Sequence, residues 1–130
     1  MKIIVTIPAH NEEITLPDTV RALKKSLPAK NIYVGSDGST DNTVQIAKKL
    51  GCTVADIYPN KGKAGVLTYL LSHYNIYEKY KAVAIIDAEV EVDKNYFKYM
   101  LPQFDDPEVV ACVSRSIPVW PKHKFPKWYL

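Results

Sequence analysis

Three short polar stretches carry residue types able to handle a charged, phosphorylated ligand. Asp87 and Glu89, separated only by Ala88, are two acids that follow an apolar run. Hard divalent cations take carboxylate oxygens together with the phosphate oxygens of a ligand, and a cation held there would neutralise a leaving diphosphate. Asp37 stands beside Gly38. Its carboxylate can accept hydrogen bonds from a base N–H, and the missing side chain at Gly38 lets a ligand come close. Lys61 and Lys63 flank Gly62 just ahead of a helical pattern, where ammonium groups and free backbone N–H groups favour phosphate. Each stretch also has a plainer reading. Asp87 can cap a turn and Glu89 can be a solvated acid. Asp37-Gly38 is ordinary turn sequence, and lysines commonly decorate a surface. His10, His73 and His123 have no matched ligand set and are assigned to no metal.

The elements that must position these residues alternate between two periodicities. Ile3 to Ile7 is a β-rich run ended by Pro8. A helix follows, with Thr15 as N-cap, Pro17 in its first turn and an apolar face of Leu16, Val20, Leu23 and Leu27. Ile32-Tyr33-Val34 reads as a second strand, ended by Gly35-Ser36-Asp37-Gly38. Asp41 is placed to cap a second helix carrying Val44, Ala47 and Leu50, and Gly51 suits its C-terminus. Thr53 to Ile57 is a third strand. A third helix carries Val66, Leu67, Leu70, Leu71 and Tyr74. Ala82 to Ile86 is wholly apolar, as a strand at the centre of a parallel sheet would be. Asp93 is placed to cap a fourth helix with Phe97, Met100 and Leu101 inward, and Val109 to Val113 reads as a fifth strand.

This alternation predicts right-handed βαβ units and a mainly parallel sheet covered on both faces, an α/β three-layer sandwich. In such a sheet ligands bind outside the carboxyl ends of the strands. The residues following the first four strands are 8–13, 36–41, 60–63 and 87–89, and nearly all the candidate chemistry lies among them. The opposite connections carry ordinary turn residues, so the polar groups converge on one edge.

Composition bounds the rest. The chain has 130 residues, 47% hydrophobic and 24% charged, the balance of one globular domain rather than a disordered tract. A net charge of +3 with scattered lysines shows no nucleic-acid stripe. The opening apolar run is too short for a signal peptide, and no stretch approaches the ~20 apolar residues of a spanning helix. Cys52 and Cys112 lack metal spacing and read as free thiols. These features predict a cytoplasmic protein.

Four motifs in order resemble family 2 glycosyltransferases, the inverting enzymes of GT-A (Rossmann-like) fold. They are Ile7-Pro8-Ala9-His10-Asn11-Glu12-Glu13, Ser36-Asp37-Gly38-Ser39-Thr40-Asp41-Asn42-Thr43, Asn60-Lys61-Gly62-Lys63-Ala64-Gly65 and Ile85-Ile86-Asp87-Ala88-Glu89. The resemblance implies that Pro8, Ala9 and the Asn11-Glu12 segment line a base and ribose pocket. It implies that Asp37, beside Gly38, binds the base of a UDP- or GDP-sugar and that Lys63 lies near the nucleotide. Asp87, beside Ala88, would face ribose or diphosphate, and Asp87 and Glu89 would hold Mg²⁺ or Mn²⁺. Glu89 stands where the family usually has Asp. The family draws its catalytic base from a second half, and no residue is assigned that role. The acceptor is not indicated.

The expected organisation is a nucleotide-sugar-binding half over 1–113 and an aromatic, proline-rich tail over 114–130, a truncated form of the fold. The alternative function is a non-catalytic nucleotide-binding or assembly module, oligomerising or pairing with another chain through the tail. A nucleotidyltransferase or dinucleotide oxidoreductase is disfavoured, because Pro8-Ala9-His10-Asn11 stands where a glycine-rich loop would follow the first strand. Trp120, Lys122, Lys124, Phe125, Lys127, Trp128 and Tyr129 mix aromatics with cations as interfacial segments do. Packing of these aromatics onto the domain or a partner is preferred over peripheral contact with the inner face of a membrane.

Overall fold

A computed structural model describes residues 2–117. The chain divides into two compact units, residues 1–97 and 98–130. In the first, β1 (Ile3–Ala9), β2 (Ile32–Asp37), β3 (Thr53–Ile57) and β4 (Ala82–Ile85) form one sheet in the order β3-β2-β1-β4. All three pairings are parallel, with Val5 opposite Ile32, Asp37 opposite Ile57 and Thr6 opposite Ile85. The helices are α1 (Leu16–Leu23), α2 (Thr43–Lys49), α3 (Gly62–His73), α4 (Ile76–Lys79) and α5 (Tyr96–Met100).

Strand alternation sorts the side chains between two faces. On one face Ile4, Tyr33, Ala55 and Ile57 pack with Val66 and Leu70 of α3 and Ile76 of α4 in a single buried cluster. Gly35 belongs to this face. A Cβ there would lie 2.3 Å from Val66 Cγ1, so its absence lets α3 sit down on β2. Val5, Ile7, Ile32 and Val34 point the other way and are fully buried, as are Leu16, Val20 and Leu23 of α1. Helices therefore flank a parallel sheet, the predicted fold class.

Two strand expectations need correction. Ala82 to Ile86 is not central. Among the described residues β4 pairs with β1 alone, and Val83 and Ile85 on its α3-side face are 36% and 54% exposed. An apolar run states that a strand can be buried on both faces, but not which neighbours it has. Val109 to Val113 forms no strand; it is irregular backbone with Val110 and Val113 exposed. β-propensity makes a strand only where a neighbour completes the hydrogen-bond ladder.

The predicted fourth helix is shorter than its pattern. Asp93 does organise its entry, since its carboxylate accepts the Asn95 N–H at 2.7 Å and its carbonyl the Tyr96 N–H at 3.0 Å. Regular α-helix ends at Met100 and becomes a 3₁₀ helix over Leu101–Asp105, where Pro102 removes a donor. Among the described residues no helix is long and apolar enough to cross a membrane. The aromatic and lysine positions from Trp120 to Tyr129 lie outside the described residues.

Candidate functional site

The loops after β1 and β2 are tied into one unit. Asn11 is left-handed, with φ of 52°, a conformation that Asn tolerates better than most residues. Its Oδ1 accepts the Thr40 N–H at 2.8 Å and lies 3.4 Å from the Asp41 nitrogen, while its own N–H donates to Ser39 Oγ. The Glu12 N–H donates to Thr43 Oγ1 and the Glu13 N–H to Asp41. Thr15 takes the cap position of α1, yet its hydroxyl donates to the Glu12 carboxylate rather than capping the helix. Asp41 accepts both the hydroxyl and the N–H of Thr43 at the start of α2. Desolvation raises the pKa of Asp41, but these bonds and the Glu13 N–H outweigh it and hold the carboxyl below its ordinary value. The Asn11 side-chain oxygen and the Asn11 and Glu12 N–H groups therefore hold one loop to the other, while the Glu12 carboxylate is engaged within its own loop.

Asp37 closes β2 and reaches across to α3. Its two carboxylate oxygens accept the Lys61 N–H at 2.7 Å and the Gly62 N–H at 2.9 Å. A negative group at that position satisfies orphan helix donors and opposes the helix dipole. Each oxygen retains a further lone pair for a ligand. Gly38 is left-handed with φ of +66°, a conformation that calls for glycine, and a Cβ there would also push aside the Asn60 side-chain amide, 2.1 Å away at Oδ1.

His10 leans over the end of β2. Its Nδ1 is 2.7 Å from the Asp37 carbonyl oxygen, and its Nε2 is 3.4 Å from Asn11 Nδ2. A carbonyl can only accept, so the ring carries its proton on Nδ1 and receives the Asn11 amide on Nε2.

The segment after β4 is anchored from the opposite side. The Thr19 hydroxyl, buried in α1, lies 2.8 Å from the Ala88 carbonyl oxygen and 3.0 Å from that of Val90. Ala88 is buried, while the acids on either side of it face a common cleft. Lys63, in the first turn of α3, places Nζ 2.6 Å from Asp87 Oδ1.

These elements enclose a cleft of about 240 Å³ lined by Pro8, Ala9, His10, Asp37, Lys63, Val66, Asp87 and Glu89. Of the residues singled out in the sequence, Pro8, Ala9, Asp37, Lys63, Asp87 and Glu89 come together here. Asn11, Glu12, Gly38 and Ala88 are not among its lining residues; Gly38 and Ala88 are buried, whereas Asn11 is exposed. His10 and Val66 line the cleft without having been assigned a role in it. Val66 reads in sequence only as helix core. His10 was weighed as a metal ligand, and its bond to a backbone carbonyl is a tertiary feature. A broader, shallow groove of about 650 Å³ runs along α3 past Lys61, Gly65, Thr68, Tyr69, Ser72 and His73 and gathers no carboxylate.

The chemistry of the donor set decides what the cleft can hold. Among the described residues no three His, Cys, Asp or Glu side chains cluster as a complete metal site. Asp87 and Glu89 supply two hard oxygen ligands, and the rest of a Mg²⁺ or Mn²⁺ shell would come from water and ligand phosphate, the usual arrangement for Mg²⁺. The residues present fit a cation that arrives with a diphosphate.

Residues 4–127 match the sequence model of the family described as glycosyl transferase family 2. Protein RfbJ of Shigella flexneri is 37% identical over 70 residues, which is 54% of this chain and 54% of the relative. The solved structure of TarS 1-349 of S. aureus in complex with UDP-GlcNAc superposes with a TM-score of 0.63 at 24% identity, over 81% of this chain and 31% of that one. The mannosyltransferase PcManGT of Pyrobaculum calidifontis, solved with GDP-Man and Mn²⁺, gives 0.71 at 22%, over 88% and 36%. The chain thus spans about half of this curated relative and about a third of these solved chains.

Proposed function

From the premise that the chain belongs to glycosyl transferase family 2, we propose that the cleft binds the nucleoside diphosphate of a UDP- or GDP-sugar and that the protein transfers the sugar to an acceptor hydroxyl with inversion. The observation that carries this reading is the convergence of Asp37, Lys63, Asp87 and Glu89, from three separate loops, on one cleft at the carboxyl edge of the sheet. The two neighbours solved with UDP-GlcNAc and with GDP-Man and Mn²⁺ share the fold and support the ligand class.

Each residue has a task in this reading. Asp37 offers its free lone pairs to a base N–H while holding the 61–62 backbone in place. Pro8 and Ala9 provide an apolar floor. The Lys63 ammonium moves onto phosphate oxygens. Asp87 and Glu89 would hold Mg²⁺ or Mn²⁺, whose chemistry when bound would be to neutralise charge on the departing diphosphate. Thr19, through the 88–90 backbone, keeps both acids on the cleft side.

Calorimetric titration with UDP and GDP, with and without Mn²⁺, tests the reading. One nucleotide should bind in a metal-dependent way. Glu89→Ala, at an exposed position, should abolish the metal dependence without lowering the melting temperature. Asp37→Ala should weaken binding at least tenfold even in the presence of metal. Failure of the folded protein to bind either nucleotide would sink the proposal. Binding with no sugar transfer to any acceptor would favour the non-catalytic module instead.

A further inference from the structure

Lys63 occupies Asp87 in the way a metal ion would, and we infer that it acts as an internal counter-ion that keeps divalent cations off the acid pair until a diphosphate draws it away. The inference rests on the donor-site reading and adds an order to it: cation and diphosphate bind synergistically, with Lys63 as the coupling residue. Lys63 is a positioning residue here, in that it controls when Asp87 becomes free.

The geometry supports this in three ways. The Nζ–Oδ1 separation of 2.6 Å is that of a close, charge-assisted contact. A divalent ion bound to Asp87 would share that carboxylate with the ammonium, and repulsion between the two cations within about 5 Å lowers affinity about tenfold even in water. Among the described residues Asp87 is the acid that Lys63 pairs with. The first turn of α3 contains no acid of its own, and Asp37 meets this helix end through the Lys61 and Gly62 N–H groups rather than through the Lys63 ammonium. Finally, the pair can open. The two side chains are 57% and 43% exposed, and the lysine stem is long and flexible. A diphosphate entering the cleft presents more negative charge than one carboxylate does, so the ammonium transfers to it and Asp87 is released to the cation. Because coupling between two ligands is reciprocal, each then raises the affinity for the other by the same factor.

The test follows paramagnetic broadening of the Ala88 and Glu89 amide signals in ¹⁵N-labelled 130-residue protein during Mn²⁺ titration. Wild type, Lys63→Met and Lys63→Arg are titrated with and without UDP or GDP. In wild type the nucleotide should lower the Mn²⁺ midpoint about tenfold. Lys63→Met should lower the nucleotide-free midpoint about tenfold and shrink the synergy to less than about threefold, while Lys63→Arg keeps the wild-type pattern. An unchanged nucleotide-free midpoint in Lys63→Met, with synergy intact, overturns the counter-ion role and leaves the donor site standing. Broadening centred away from residues 87–89 in every variant overturns the donor site, and this inference with it.

Discussion

At the scale of single residues, the polar groups of the loops divide into those that face the cleft and those that hold other loops in place. Asp41 belongs to the second kind. Its carboxyl is depressed below the ordinary 3.8, chiefly because hydrogen bonds from Thr43 overcome the opposing cost of desolvation. A group whose folded-state pKa is lowered adds stability above its unfolded value. That contribution disappears as pH falls through the folded value, because the unfolded state then binds more protons. Wild type should therefore lose stability below about pH 4, and Asp41→Asn should show a flatter profile in that window. At neutral pH Asp41→Ala, which removes the acceptor, should cost about 1 kcal/mol, the typical value of a helix-start acceptor. Urea unfolding at a series of pH values measures both. Cys52 is half-buried, and desolvation still pushes its thiol up to about 11, with Lys24 only partly offsetting, so it is protonated at neutral pH.

At the scale of elements, the site depends on how closely α3 approaches the sheet. The N-terminus of that helix carries Lys63 and is held by Asp37, while Val66 and Leu70 press on β2 at Gly35. Gly35→Ala would drive a methyl group into Val66 and should destabilise the protein by about 1–3 kcal/mol, the usual cost of overpacking. Adding Val66→Ala should recover part of that loss, and a double-mutant cycle by denaturant unfolding should return a coupling of at least about 0.5 kcal/mol. The sequence pattern reads Gly35 as part of the strand's end, whereas β2 runs through it to Asp37. Its role as the seat of a helix is not visible in that pattern, because nothing local to residues 32–37 says which helix crosses there.

At the scale of the whole molecule, β4 is where sequence and structure part. Its pattern reads as central, yet the described residues place it at an edge with one face open. Ile85→Thr should therefore change stability by no more than about 0.5 kcal/mol. Ile7→Ala, on a strand flanked on both sides, should cost about 2–5 kcal/mol. Thermal unfolding distinguishes the two, and a large loss at Ile85 would show that the face is covered in solution. The alternation of strands and helices, the parallel sheet, and the edge at which Pro8, Asp37, Lys63 and the Asp87–Glu89 pair gather are legible in the amino-acid sequence. These follow from hydrophobic period and from βαβ geometry, which are properties of short stretches. Strand order, the failure of 109–113 to form a strand, the loop-to-loop bonds of Asn11 and Glu12, and the pairing of Lys63 with Asp87 emerge from the packed fold alone. The strand pairings and these side-chain bonds join residues 20 or more positions apart, and such partners are chosen by packing rather than by any local propensity.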